Sequence, residues 1–133
     1  MAKLIYGKGI RDLPSQKGGK RIKSYVVWSN MLRRCYDDKS HPTYHDVEVC
    51  EHWLTYSNFH NWFEVHGVEG YQLDKDLLGG KIYSPMNCVM IPKKLNVLLA
   101  GNYPDKTLAE ALECYYDGRI SMLTLACIKV YLK

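Results

Sequence analysis

The stretch 71-YQLDKDLLGGKIYSPMNCVMIPKKLN-96 decides the fold. Tyr71 and Leu73 alternate with Gln72 and Asp74 in the period of a strand, and the alternation stops at Leu78-Gly79-Gly80-Lys81, whose glycines mark a turn. The run 88-CVMI-91 supplies a second short strand. Pro92 stands where a helix begins, with Leu95, Leu98 and Leu99 along its inner side. A hairpin followed by a helix would gather Asp74, Lys75, Asp76, Asn87 and Asn96 toward one end. Asp74 and Asp76 point to opposite faces of a continuing strand, so both can serve one ligand only if a bulge or turn intervenes.

Working outward, residues from Ser24 to about Tyr36 read as an amphipathic helix. Trp28, Met31, Leu32, Cys35 and Tyr36 share one face at the i, i+3, i+4, i+7 spacing, leaving Asn30, Arg33 and Arg34 on the other. The segment 37-DDKSHPTYHD-46 has the composition of a loop, and 47-VEVC-50 alternates as a short strand. Ser57 suits the N-cap of a second helix with Phe59, Trp62, Phe63 and His66 on one face and Gly67 at its end. Beyond Gly101, Thr107 and Glu110 have the spacing of a capping box, Gly118 is a stop, and Ser121 caps a last helix faced by Met122, Leu125, Ile128 and Leu132. This predicts a small α+β protein with a basic N-terminal arm (1–23), a core (24–100) and a C-terminal helical extension (101–133). The default role of that extension is packing or homo-oligomerisation.

With 133 residues and 47% hydrophobic content, the chain is long enough to bury one core. No apolar run approaches the ~18 residues of a membrane span, and the basic N-terminus lacks a secretory signal's apolar stretch. We therefore expect an intracellular protein with no membrane partner. Five cysteines without a CxxC pair point to free or metal-bound thiols in place of disulfides. Residues 1–36 carry nine Lys or Arg against Asp12 alone, a charge of +8 within a chain of net +4. A flexible arm around 17-KGGKRIK-23 would be drawn to phosphate by counterion release, or would serve only solubility.

The motifs 28-WSNMLRRCY-36, 41-HPTY-44, 49-VCEHW-53, 57-SNFHNWF-63, 73-LDKD-76 and 83-YSPMNC-88, followed by Pro92 and Asn96, come in an order that resembles the small HNH-endonuclease-like proteins of tailed bacteriophages. The resemblance spans roughly residues 25 to 100. It implies an HNH-like ββα-metal core in which a hairpin and a helix clasp one divalent ion, Mg²⁺ or Mn²⁺, at the scissile phosphate of DNA. Residue by residue, Asp74 matches the family's first Asp and metal ligand, and Lys75 falls where the family has its general-base His. Asn87 is the nearest match to the Asn that orients the base, and Asn96 matches the last metal ligand.

Lys75 departs from the pattern, as does Gly80, where similar proteins tend to have a Gly-Asn turn. A lysine is an ammonium at neutral pH unless burial lowers its pKa by several units, so its fitting role is to stabilise charge on a phosphate. His66 is the alternative base, although its place on the aromatic stripe also suits a packed core histidine. Cys35, His41, Cys50 and Cys88 could form a Cys₃His zinc site, or the thiols could simply be buried. Lys20, Arg21, Lys23, Arg33, Arg34, Lys93 and Lys94 are the groups expected to contact DNA phosphates.

The resulting expectation is a phage protein of the host cytoplasm that binds DNA and nicks or cuts its phosphodiester bonds with a divalent ion. Two alternatives remain. One is a DNA-binding descendant that has lost catalysis. The other is a protein that binds and inhibits a host enzyme or defence factor through the acidic and aromatic tail around Glu110, Glu113, Tyr115, Tyr116 and Asp117.

Overall fold

The N-terminal segment folds back along the body of the protein. In the computed structural model, which describes residues 3–37 and 47–133, Ile10 donates its N–H to the Leu54 carbonyl at 2.7 Å and accepts that of Tyr56 at 2.9 Å. Gly9 lies so close to the helix behind it that an added Cβ would sit 2.4 Å from Leu32 Cδ1 and 2.9 Å from the Trp28 ring. Within the basic stretch that leads into the first helix, β1 (Gln16–Lys17) and β2 (Lys20–Arg21) pair antiparallel with all four residues exposed. What the charge pattern suggests is a flexible arm therefore includes a docked strap and a small basic hairpin.

Helix α1 (Lys23–Tyr36) buries Ser24, Tyr25, Trp28, Met31, Leu32 and Cys35, the face its periodicity foretells. Strand β3 (Glu48–Val49) leads through a 3₁₀ turn at Glu51–Leu54 into α2 (Tyr56–His66). Ser57 is not the N-cap of α2; Thr55 holds that position without a side-chain hydrogen bond. The capping acceptor comes from the strap. Asp12 Oδ1 accepts the Ser57 N–H at 2.8 Å and Oδ2 accepts the Ser57 hydroxyl at 2.5 Å. Desolvation raises the Asp12 pKa, but these bonds outweigh it and leave the carboxyl below its ordinary value. Capping by a residue 45 positions away leaves no local sequence signal.

Strand β4 (Tyr71–Asp74) pairs antiparallel with the later strand Val89–Pro92, with Leu73 opposite Met90 and Gln72 opposite Ile91. The two are not joined by the short turn expected at Leu78–Lys81. A further strand, β5 (Ile82–Tyr83), intervenes and pairs in parallel with β3, making Val89–Pro92 the sixth strand, β6. Helix α3 (Lys93–Ala100) follows β6 directly, with Pro92 as its N-cap.

Helix α4 (Pro104–Tyr116) begins earlier than the Thr107–Glu110 spacing suggests, because Pro104 occupies the first helical turn, where a missing N–H costs nothing. Thr107 sits inside the helix, donating its hydroxyl to the Tyr103 carbonyl at 2.7 Å. Gly118, at φ +75°, ends α4 in a Schellman arrangement, with Gly118 N–H on Tyr115 O and Arg119 N–H on Cys114 O. Ser121 caps α5 (Met122–Tyr131) as expected, accepting the Thr124 N–H at 3.0 Å.

Two hydrophobic clusters result. One is aromatic, centred on Trp28, Trp53, Tyr56 and Phe59, and takes Leu73 and Met90 from the sheet. The other, built from Leu95, Leu99, Ala111, Cys114, Leu125 and Ile128, takes Ile91 from the sheet and Leu77 from beyond it. The β4–β6 pair is the wall between them, and its period of two sends alternate residues to either side. Among the described residues no helix is long and apolar enough to cross a membrane.

Candidate functional site

A cleft of about 300 Å³ opens at the Asp74 end of the β4–β6 pair, lined by Arg34, Asp74, Lys75, Asp76, Tyr83, Asn96 and Tyr131 over an apolar floor of Leu73, Leu77 and Leu99. Strand β4 ends at Asp74 and the chain turns at once. Asp74 Oδ2 accepts the Leu77 N–H at 2.8 Å, and the Gly79 N–H bonds to the Asp76 carbonyl at 2.9 Å. This turn satisfies the condition that a straight strand would break: both Asp74 and Asp76 line the same cleft. Because α3 runs back along the pair, it delivers Asn96 to the same place. Asn96 Nδ2 donates to Gln72 Oε1 at 2.8 Å, which leaves its carbonyl oxygen as the acceptor end of the amide.

Lys75 is the most enclosed charge in the cleft, only 7% exposed. Its ammonium meets the Asp76 carboxylate at 2.5 Å and lies 5.7 Å from the centroid of the Tyr83 ring. The carboxylate and the ring face both stabilise positive charge. Burial pushes the Asp74 pKa up, as does Asp76, while the Leu77 N–H and Lys75 pull it down; the net direction is up. The site thus combines one carboxylate that resists ionisation, one already paired, an amide oxygen, an enclosed ammonium, and Arg34 exposed at the end of α1.

The other candidate residues lie elsewhere. Asn87 belongs to the loop between β5 and β6, donating to Ile82 O at 3.2 Å and pressing on Gly80, where an added Cβ would fall 2.8 Å from Asn87 Nδ2. The glycine at position 80 is what lets Asn87 pack there. His66 is exposed and stacks on Trp62 at 4.8 Å, lining a different cavity with Cys88, Met90, Arg119 and Thr124. It is neither a packed core histidine nor part of the Asp74 cleft.

Cys35 and Cys88 are buried, and loss of solvent pushes their thiols up to about 11 and about 12, so neither thiolate is favoured at neutral pH. Cys50 is half-buried, and His41 lies outside the described residues. Among the described residues no three His, Cys, Asp or Glu side chains come together as metal ligands.

The basic residues form separate groups. Lys20, Arg21 and Lys23 are exposed around the start of α1, and Arg33 and Arg34 near its far end, ~16 Å along the helix from Lys23. Lys93 and Lys94 open α3, at the end remote from the cleft, with Lys94 Nζ 3.6 Å from the buried Glu110. In the C-terminal tail, Tyr116 is exposed, Tyr115 is half-buried and Asp117 pairs with Arg119 at 3.1 Å.

Tyr83 and Tyr131 are the cleft residues that sequence reasoning missed. Tyr83 carries a trace of signal, standing inside the quoted 83-YSPMNC-88 motif. Tyr131 carries none, because it arrives from α5 through tertiary packing alone. No protein-family model, curated protein or solved structure matches the chain.

Proposed function

We propose that this is a DNA-binding protein of the HNH-endonuclease type, a phage protein of the host cytoplasm whose cleft receives a backbone phosphate. The observation that supports this most is the convergence of Asp74, Lys75 and Asn96, matched by resemblance to the family's site, in one cleft at the end of an antiparallel pair and its following helix. Arg34 beside Lys75 adds a second cation for a phosphodiester. The exposed basic residues of the β1–β2 hairpin and α1 are suited to neighbouring phosphates, and such contacts position a protein on DNA without reading sequence.

The residues of the cleft do not fit the divalent ion that hydrolysis by this family would use. Asp76, one of the two carboxylates among the described residues of the cleft, is already bound to the Lys75 ammonium, and a dication would have to share the space with that like charge. Among the described residues that line the cleft, none is a histidine that could take a proton from water. We therefore favour binding without cleavage. The chain's own residues would hold the phosphate through Arg34 and Lys75, with Asp76 and Tyr83 fixing the ammonium in place.

Incubation with supercoiled plasmid, with Mg²⁺, Mn²⁺ or EDTA, tests this alongside a gel-shift titration. Expected are DNA binding that persists in EDTA, falls steeply with salt and weakens in Arg34→Ala, and no nicking under any condition. Metal-dependent nicking that disappears in Asp74→Ala would overturn the binding-only reading in favour of an endonuclease.

A further inference from the structure

The poor fit between this cleft and a divalent ion has a specific cause. Asp74, Asp76 and Asn96 place two carboxylates and an amide oxygen around one 300 Å³ space, hard oxygen donors of the kind that Mg²⁺ and Mn²⁺ take. Asp74 is half-buried and Asp76 exposed, and the positive charge placed against them is covalently attached. The Lys75 ammonium is held against Asp76 at 2.5 Å, backed by the Tyr83 ring, and enclosed to within 7% of full burial. We propose that Lys75 is a tethered cation standing in the place of a divalent ion, so that the wild-type cleft excludes the metal and removal of the lysine charge opens a divalent-ion site formed by Asp74, Asp76 and Asn96.

The ammonium and a divalent ion compete for the same oxygens. An entering dication must take Asp76 from an ammonium that is enclosed and cannot swing far away. Such an ion also meets a like charge at contact distance, where even water's dielectric leaves a repulsion worth more than tenfold in affinity. Arg34 lines the same cleft and brings a second positive charge to it. Neutralising the lysine reverses both effects at once and leaves the oxygen donors where they are.

The test is calorimetric titration of Mn²⁺ into the full-length protein without DNA. Wild type should show no saturable binding, whereas Lys75→Met, which keeps the apolar stem and loses the charge, should bind at least about tenfold more tightly. Adding Asp76→Asn to Lys75→Met should abolish the gain. Equal binding by wild type and Lys75→Met, no gain in the folded variant, or a gain that survives Asp76→Asn would each overturn the proposal. Should Lys75→Met fail to fold by circular dichroism, Lys75→Gln takes its place. The wild-type titration also decides on its own account, since saturable binding that Asp76→Asn removes contradicts the proposal.

A second measurement rests on the phosphate reading given above: DNA affinity of the wild type should be the same in EDTA and in Mn²⁺, and loss of binding in EDTA would overturn the tethered-cation assignment. Failure to bind DNA under any condition, with the metal titrations as expected, would instead sink the DNA reading and leave Lys75 as the internal cation.

Discussion

The two hydrophobic clusters on either side of the β4–β6 pair are built from different materials. The aromatic one has its rings in contact, Trp28 with Tyr56 at 5.2 Å and Trp53 with Phe59 at 4.8 Å, and it carries buried polar atoms, of which Trp53 Nε1 is without a partner among the described residues. Trp28 Nε1 donates to Trp53 O at 2.7 Å, and the buried Ser24 hydroxyl bonds both Tyr56 and His60 at 2.7 Å. The second cluster is mostly aliphatic, with Leu95, Ala111, Cys114 and Ile128 fully enclosed. Directional bonds specify one arrangement of the aromatic side, whereas the aliphatic side is held chiefly by area and fit. The cleft opens where the two meet, with Leu73 and Tyr83 from the first cluster and Leu77 and Leu99 from the second.

The largest effect expected on this contrast is from Trp28→Ala. The indole is completely buried, touches Tyr25 and Tyr56, and donates the hydrogen bond that ties α1 to the 3₁₀ turn. Removing it should cost about 3–5 kcal/mol, which is most of the stability of an ordinary domain. Urea denaturation followed by circular dichroism should show the midpoint collapsing, and a loss under about 1 kcal/mol would show that the aromatic cluster does not anchor the fold.

Ile128→Ala comes next, at about 2–5 kcal/mol for a fully buried aliphatic side chain. It sharpens the comparison because its consequence should be local. Hydrogen exchange should speed up in α4 and α5 first, while the amides of α1 and α2 keep their protection. Uniform loss of protection across all four helices would mean that the β4–β6 wall couples the clusters into one cooperative unit.

How much of this architecture was legible beforehand depended on how local its causes are. Helix α1 and the strand alternation at Tyr71–Asp74 follow from periodicity within a single element, so the residues state them outright. The Ser121 cap was legible because its partner Thr124 is three residues away. Asp12 capping α2, the parallel pairing of β3 with β5, and Tyr131 entering the cleft are all set by distant packing, and nothing near them in sequence announces it. The cleft was legible in part: Asp74, Lys75, Asp76 and Asn96 converge, but Asn87 and His66 do not join them. That division has a physical cause. The convergent residues hang on a strand end and the helix aligned with it, whereas Asn87 depends on how the loop after β5 folds onto Gly80.

The smallest expected effect carries the opposite sign. Asp74 sits on the seam between the clusters with its pKa raised, chiefly by burial. A carboxyl with a folded-state pKa above its unfolded value stabilises the fold fully only below the unfolded pKa, and that contribution is lost as pH rises through the folded value. At neutral pH the ionised Asp74 is therefore a burden. Asn at this position keeps an oxygen to accept the Leu77 N–H and never ionises. Asp74→Asn should accordingly raise stability at pH 7, by about 1 kcal/mol or less. The gain should shrink as pH falls into the range where Asp74 protonates, which paired thermal melts across that range would follow. A gain that is independent of pH, or a loss at pH 7, would mean the ionised carboxylate is compensated in place by Lys75, making Asp74 and Lys75 a structural ion pair of the seam. A gain with the expected pH dependence would leave a chain that keeps a destabilising carboxylate beside an enclosed lysine, and packing alone gives no reason to keep it.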